Sequence, residues 1–198
     1  LTGNVVFSTT NGAATFAEVV DGTADNDQNL TLNAGTGVVT FAKALGAVKK
    51  LGDVVANSTG ATKFQGAVLA KSLTTNAGGS TELSADVTTT AAQSFGDALS
   101  LKNNIILSGT DITLAQTVNS DGTARTLQVT GSGVTTFGGI VGGTAELASL
   151  TVDGGGTTLL NAGTVTTAGA QSYTDAVTLG ADTALVTTNS NVSFTSTL

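Results

Sequence analysis

The chain has 198 residues, a formal net charge of −7 from 7 basic and 14 acidic residues, and no Cys, His, Met, Trp or Pro. The absence of Cys and His removes the usual zinc and haem ligands, the thiolate nucleophile and the base of a His-containing triad. So few basic residues make nucleic acid a poor partner. Composition therefore favours a protein without a cofactor or a metal. It also favours β-structure, because Val and Thr are strand formers whereas most strong helix formers are scarce.

Nothing in the sequence predicts membrane insertion, because no run of about 18 apolar residues occurs. The stretch that starts at Leu1 has no basic segment followed by an apolar one, so we expect no signal peptide in these residues. The chain is accordingly expected to be processed or to be cut from something longer.

Short β-strands joined by sharp corners are predicted along the chain. Apolar and polar residues alternate in residues 30–33 and 191–195, which is the period of a strand. Gly, Asn and Asp interrupt such runs, as in residues 33–37, 121–122 and 153–156, and they supply the bent backbone that a corner needs. The lack of Pro fits a stack of parallel strands, because Pro would remove a hydrogen bond from it.

One segment has a different period. Apolar residues between Phe41 and Val55 recur with the i, i+3, i+4 spacing of a helix. The counterpart of this segment, residues 137–147, contains two Gly pairs that a helix disfavours. We predict strand–turn–strand for both segments, with a helical turn near residues 43–52 as the alternative.

A short motif recurs: a Gly, three residues, a large apolar anchor, three residues, and then Val or Leu. Five of the seven Phe residues and the single Tyr are anchors. Most anchors are 19 to 25 residues apart, with two shorter steps of 12 and 13. This is the length of one turn of a solenoid, so we predict about nine coils with the anchors pointing inward. The anchors are Phe16, Phe41, Phe64, Leu83, Phe95, Leu114, Phe137, Leu160 and Tyr173.

A longer period is superimposed on the short one. Residues 4–8 resemble residues 104–108 and 191–195, which defines long repeats at 4–103 and 104–190 and the start of a third at 191–198. Further matches have offsets of 96 and 78 residues, so the second repeat is expected to have lost about one whole coil. We predict that residues 1–198 form a single β-solenoid segment without capping units. It is expected to be a piece of a longer rod, or a subunit whose copies stack end to end.

The densest acidic cluster is residues 21–29, where Asp, Asp and Asn stand at alternate positions as in the start of a calcium loop. An EF-hand would then require Gly and Glu at the positions held by Leu30 and Thr36. We therefore expect a solvated corner loop, with a weak calcium site as the alternative.

Elsewhere the acidic residues are scattered singly. Asp97 and Asp175 occupy equivalent repeat positions, which indicates turn formers rather than the paired carboxylates of a glycosidase. We expect no catalytic residue and no enzyme activity.

Two segments carry a resemblance to a known family: AQSYTDAVTLGADT (170–183) followed by NVSF (191–194), and TTFGGIVGGTAELASLTVDGGGT (135–157). They resemble the tandem β-strand repeats of very large bacterial exoproteins, the filamentous-haemagglutinin-like and autotransporter-like adhesins. The resemblance covers nearly the whole chain. It implies an all-β, right-handed parallel β-helix (β-solenoid), an extracellular or bacterial cell-surface location, and a structural role as stalk or filament. Expected partners are further repeats or copies of the chain at its ends, and a host-surface or polysaccharide ligand.

Other interpretations stay open. A polysaccharide-binding or polysaccharide-cleaving β-helix would show a groove with clustered acids and exposed aromatic residues. Two tandem immunoglobulin-like domains would also suit the long repeat, although the absence of Pro and Trp and the nested shorter period argue against them. An ice-binding surface would need an unbroken Thr column, but Lys63, Glu82 and Leu159 interrupt the set of residues that precede the anchors.

Overall fold

The computed structural model describes residues 1–198 and shows an all-β chain without a helix. Every strand pair is parallel, and the strands stack as a β-solenoid of about nine turns around one apolar core. The predicted fold class is confirmed. Tandem immunoglobulin-like domains are excluded, because their sheets are antiparallel.

Each turn crosses three faces, which we call A, B and C in chain order. Paired residues on face A are 19 positions apart between Val54 and Leu73 and 25 apart between Val5 and Leu30. These two values bound the length of a turn on that face. The first residues of strands β5 (Leu51–Ser58) and β7 (Val68–Thr75) lie on face C, because these two strands are long enough to cover faces C and A without a corner.

The 23 strands fall into three columns. Face A contains β1 (Val5–Ser8), β3 (Leu30–Gly35), β5 (Leu51–Ser58), β7 (Val68–Thr75), β10 (Gln93–Phe95), β13 (Ile112–Leu114), β16 (Val134–Phe137), β18 (Thr157–Leu160) and β21 (Ala176–Leu179). Face B contains β2 (Ala14–Phe16), β4 (Val39–Phe41), β6 (Ala61–Phe64), β8 (Ser80–Leu83), β11 (Ala98–Leu101), β14 (Val118–Ser120), β19 (Thr164–Thr167) and β22 (Ala184–Thr187), with Val141 bridging the gap between β14 and β19. Face C contains β9 (Val87–Thr89), β12 (Ile105–Gly109), β15 (Thr126–Gly131), β17 (Ser149–Asp153), β20 (Gln171–Tyr173) and β23 (Val192–Phe194).

The anchor side chains point into the core, as predicted, but they form three columns rather than one. The anchors from Phe16 to Leu83 lie on face B, those from Phe95 to Leu160 on face A, and Tyr173 on face C. The two short steps of 12 and 13 residues are the places where the motif changes face. The number of turns is unaffected, because face A alone contributes nine strands.

Aromatic rings stack along the axis wherever successive turns carry them in one column. The ring centroids of Phe16 and Phe41 are 5.1 Å apart, those of Phe41 and Phe64 5.2 Å, and those of Tyr173 and Phe194 5.1 Å. Phe16 is only half-buried because it belongs to the first turn, whereas Phe41 and Phe64 are fully buried. Parallel strands are ~4.8 Å apart, so identical inward residues in adjacent turns meet in an offset stack.

A Gly precedes seven of the nine anchors by four residues, and at most of these positions the corner in which it lies explains it. A Cβ on Gly79 would overlap the Gly60 carbonyl oxygen of the turn beneath it, and a Cβ on Gly156 would overlap the Gly133 carbonyl oxygen. These two corners therefore leave no room for a side chain, and this steric limit accounts for Gly at these positions of the recurring motif.

Similar segments of the long repeat lie on different faces. Residues 5–8 form β1 on face A, whereas residues 105–108 and 192–194 belong to β12 and β23 on face C. Phe95 likewise lies on face A and its counterpart Tyr173 on face C. The second copy of each segment is thus rotated by one face about the axis relative to the first.

The segment with helical periodicity is strand–turn–strand, as predicted, and the alternative of a helical turn is wrong. Leu45 pairs with Val68 and Leu51 pairs with Ala70, so residues 46–50 bulge out of face C as a loop. Leu45 and Leu51 are buried, whereas Val48 is exposed. The apparent period arose because the strand residues on both sides of the loop are apolar.

Candidate functional surfaces

Residues 21–29 form a loop that follows Val20 and ends at β3, and it packs against the loop of residues 46–50 in the next turn. Asp21 Oδ1 accepts hydrogen bonds from the main-chain N–H groups of Val48 (2.9 Å) and Lys49 (3.4 Å). Asp25 Oδ1 accepts one from the N–H of Lys50 (2.9 Å). These carboxylates therefore hold the main chain of the neighbouring loop in place.

The remaining polar side chains of this loop also bind locally. Asp27 Oδ2 accepts a hydrogen bond from Gln28 Nε2 (2.6 Å), and Asn29 Oδ1 accepts one from the N–H of Asp53 (2.7 Å). Gln28 Oε1 accepts the N–H of Thr23 (2.8 Å). The alternating pattern that suggested a calcium loop thus belongs to side chains with separate partners, and no group of three or more acidic, His or Cys side chains is placed to hold a metal ion.

A second pair of stacked loops was not anticipated from the sequence. Asn119 Oδ1 accepts hydrogen bonds from the N–H groups of Thr144 (3.0 Å) and Ala145 (3.3 Å), in the loop of the next turn. The same corner is closed by a bond from Arg125 Nε to Asp121 Oδ1 (3.1 Å), which keeps the pKa of Asp121 below its ordinary value. A signal was present, because the sequence Asp-Gly-Thr-Ala at residues 21–24 recurs at residues 121–124.

Asp97 and Asp175, the repeated acidic positions, are buried at corners and bind the turn beneath. Asp97 Oδ1 accepts the N–H of Gly79 (2.8 Å), and its Oδ2 accepts the hydroxyl of Thr81 (3.2 Å). Asp175 Oδ1 accepts the N–H of Gly155 (2.9 Å). Burial raises the pKa of Asp97, and the two hydrogen bonds offset part of this effect. Both aspartates are thus engaged in holding the backbone.

Two buried glutamines form equivalent networks in the two repeats. Gln93 Nε2 donates to the carbonyl oxygens of Val87 (3.2 Å) and Ser108 (2.8 Å), and to Thr89 Oγ1 (3.3 Å). Gln171 Nε2 makes the same three bonds to the residues at the same sequence offsets, Val165, Val186 and Thr167. Each glutamine therefore ties together two successive turns of the preceding face, in an interior where unpaired polar groups are costly.

The two glutamine networks differ in one hydroxyl group, which Tyr173 has and Phe95 lacks. The Tyr173 hydroxyl donates to Gln171 Oε1 (3.2 Å), and burial raises the pKa of Tyr173, which keeps the hydroxyl protonated. In the other repeat the corresponding residue is Phe95, and Gln93 Oε1 has no partner. The chain therefore contains the same buried glutamine with this hydrogen bond, at Gln171, and without it, at Gln93.

The outward residues that precede the anchors do not form one surface. Those up to Glu82 lie on face B, those from Ser94 to Leu159 on face A, and Ser172 on face C. The single column considered for ice binding is therefore wrong, for the same reason that the anchors form three columns. The outward column of face A is Val6, Thr31, Val55, Thr74, Ser94, Thr113, Thr136, Leu159 and Thr178.

Charged side chains pair mainly on face B and near the loops. Glu82 lies between Lys63 (3.6 Å) and Lys102 (3.7 Å), which belong to the turn below and the turn above. Lys71 lies 3.5 Å from Asp53, and Lys49 lies 3.6 Å from Asp25. All four pairs are partly exposed, so each contributes little to the free energy of folding.

No pocket is found on the surface, and none of the chain forms a helix that could cross a membrane. No family model, no curated protein and no solved structure matches the chain. The geometry of the solenoid and the resemblance of its repeats are therefore the features that bear on its function.

Proposed function

We propose that this chain is a non-catalytic structural segment of a secreted or cell-surface bacterial exoprotein, of the adhesin type whose repeats it resembles, and that it acts as a rigid stalk or filament building block. The observation that carries the proposal is the uninterrupted parallel pairing on face A, from β1 through nine strands to β21. About nine turns at ~4.8 Å per step make a rod ~43 Å long.

The fold supports a mechanical role because its contacts connect nearest neighbours along one axis. Stretching the rod loads the hydrogen bonds of all three faces together, since each turn pairs with the next on every face. The cross-turn bonds of Asp21, Asn119 and Asp97 add side-chain ties at the corners. A rod of this kind would hold a distal binding region away from a cell surface.

The polar groups with the most distinctive environments also support a non-catalytic role. Asp97, Asp175, Gln93 and Gln171 are buried, and each binds the main chain of a neighbouring turn. No observation favours the other candidate function, polysaccharide binding or cleavage. A glycan array with the intact chain would detect such a ligand.

The stalk function can be tested by changing the rod length in whole turns. The chain is placed between a cell-surface anchor and a labelled tip, and the tip height is measured by energy transfer from a membrane dye. Deleting residues 54–134 removes four turns, because Thr135 then takes the position of Val54 on face A.

We expect the tip to approach the membrane by ~19 Å, four steps of ~4.8 Å, and the distance distribution to stay narrow. The matched control deletes residues 54–135, so that the outward Thr136 takes the inward position of Val54; this reverses the inward and outward residues of the strand and should unfold the rod. A broad distribution, or a height that does not follow the number of turns, would contradict the proposal.

A further inference from the structure

The two long repeats contain an equivalent polar corner in the interior, where a buried aspartate lies over an inward threonine of the preceding turn. Asp97 and Thr81 form this corner in the first repeat, and Asp175 and Thr158 form it in the second. Each aspartate stands two residues after an anchor and each threonine two residues before one. All four residues are at most 4% exposed, so their polar atoms depend on partners inside the rod.

The corner of Asp97 is closed by direct hydrogen bonds. Its Oδ1 accepts the N–H of Gly79 (2.8 Å), and its Oδ2 accepts the hydroxyl of Thr81 (3.2 Å). Gly79 lies four residues before an anchor, as Gly156 does in the second repeat. If the two corners had the same conformation, the second aspartate would bind the N–H of Gly156 and the hydroxyl of the second threonine in this way.

The corner of Asp175 is bonded differently. Asp175 Oδ1 accepts the N–H of Gly155 (2.9 Å), one residue before Gly156. The N–H of Gly156 makes no hydrogen bond to the chain. Thr158 Oγ1 and Asp175 Oδ2 are both buried without a partner. One N–H, one hydroxyl and one carboxylate oxygen that are paired in the first repeat are thus unpaired in the second.

The conformation of the glycine-rich segment before Gly156 explains the difference. Gly154 and Gly155 both have positive φ angles, 125° and 79°. In the first corner the equivalent residues are Ala77 and Gly78, and only Gly78 has a positive φ, 108°. The additional left-handed residue reorients the main chain, so the N–H of Gly155, rather than that of Gly156, points to the aspartate.

The chemical types of the three unpaired groups specify what can satisfy them. A buried donor or acceptor without a partner costs the free energy of its desolvation. The N–H of Gly156 needs an acceptor, Asp175 Oδ2 needs a donor, and the hydroxyl of Thr158 can act as either. A metal cation does not fit, because it cannot accept the N–H. Water fits, since it both donates and accepts, and a buried water typically makes about three hydrogen bonds.

We propose that the corner of Asp175 is a binding site for one ordered water molecule. The water accepts hydrogen bonds from the N–H of Gly156 and the hydroxyl of Thr158, and it donates one to Asp175 Oδ2. It thereby replaces the two direct hydrogen bonds that close the corner of Asp97. The site goes beyond the rod function and does not depend on it, because it concerns only the interior of two adjacent turns.

The bound water is tested directly by nuclear magnetic resonance of the isotope-labelled chain. We expect a cross-peak between water and the amide proton of Gly156 in both NOESY and ROESY spectra, with the opposite relative signs that distinguish a dipolar contact from proton exchange. Gly79 is the internal control, because its N–H also lies in a corner with a threonine hydroxyl but is bound by Asp97. The amide proton of Gly79 should show no such cross-peak.

Substitution of threonine by valine tests the same site through stability, because valine has nearly the shape of threonine but no hydroxyl. Thr158→Val should lower the folding equilibrium constant roughly fivefold in urea titrations, which is the effect of one ordinary hydrogen bond. Thr81→Val is the matched control, since it removes the direct hydrogen bond to Asp97 and should have a similar effect.

The absence of a water cross-peak at Gly156 would overturn the proposal, and so would equal cross-peaks at Gly156 and Gly79. A Thr158→Val variant that is as stable as the unmodified chain, or more stable, would also overturn it, because removal of an unpaired buried hydroxyl should be neutral or stabilising. The rod function is tested separately by the tip-height experiment, so a failure of one can be distinguished from a failure of the other.

Discussion

The hydroxyl of Tyr173 provides the sharpest test of the packing, because the chain contains the same site with and without it. Tyr173→Phe leaves Gln171 Oε1 unpaired in a fully buried position, as Gln93 Oε1 already is beside Phe95. An unsatisfied buried acceptor costs roughly 1–3 kcal/mol. We expect Tyr173→Phe to lower the free energy of unfolding by ~1–2 kcal/mol, the lower half of this range, because the hydrogen bond of 3.2 Å is long.

The reciprocal change, Phe95→Tyr, should supply the missing donor and stabilise the chain by about 1 kcal/mol. The matched control is Phe41→Tyr, which adds a hydroxyl next to Phe16 and Phe64, where the inward residue two positions earlier is the apolar Val39. A buried hydroxyl without a partner should destabilise by roughly 1–3 kcal/mol.

The assay is urea unfolding at constant pH, with thermal unfolding as a check, since 1 kcal/mol corresponds to a melting shift of about 2–4 °C at this chain length. Two results would refute the reasoning. One is a Tyr173→Phe variant as stable as the unmodified chain, and the other is a Phe95→Tyr variant that loses as much stability as Phe41→Tyr.

Three further predictions follow from the core, the corners and the loops. Phe137→Ala should lower the free energy of unfolding by about 3–5 kcal/mol, because Phe137 is fully buried, and Phe16→Ala should lower it less; denaturant titration of both variants checks the order. Because burial raises the pKa of Asp97, the folded state binds the proton of this carboxyl more readily than the unfolded state does. The contribution of Asp97 to the free energy of unfolding is therefore largest below the ordinary carboxyl pKa, and it is lost as pH rises through the raised pKa. Asp97→Asn should flatten this decline of stability in urea titrations between about pH 3 and 7. Chelation of calcium should leave the melting temperature unchanged. Asp21→Ala should lower the melting temperature with or without calcium, because Asp21 accepts hydrogen bonds from main-chain N–H groups. A shift of several degrees with chelator alone would reveal a metal site at residues 21–29.

The fold class, the number of turns and the inward anchors were predictable from the sequence, because each follows from a local rule. An anchor needs an apolar core, and the Gly before Phe64 or Leu83 lies in a corner where the turn beneath leaves no room for a side chain. Such rules recur in most turns, so they remain visible although the turn length varies.

The assignment of anchors to faces was not predictable, because turn length varies along the chain. An anchor can occupy any of the three faces and keep the same local pattern, so Leu83 and Phe95 look alike in sequence although they lie on faces B and A. The hydrogen bonds by which Asp21 and Asn119 hold the loop of the next turn were missed for a related reason: their partners lie 25 to 28 residues away, in loops without a fixed period.

The central claim, a three-faced parallel solenoid with this register, is tested most directly by cross-linking pairs of introduced cysteines. The chain has no Cys, so each double variant carries only the introduced pair. In Ser94→Cys/Thr113→Cys the two residues are neighbours in adjacent turns of face A, whereas in Glu82→Cys/Ser94→Cys they would be neighbours only if the anchors formed a single column. With a short thiol-specific cross-linker, rapid reaction of the first pair and none of the second is the predicted result. Rapid reaction of the second pair, or failure of the first in a folded variant, would contradict the three-face register.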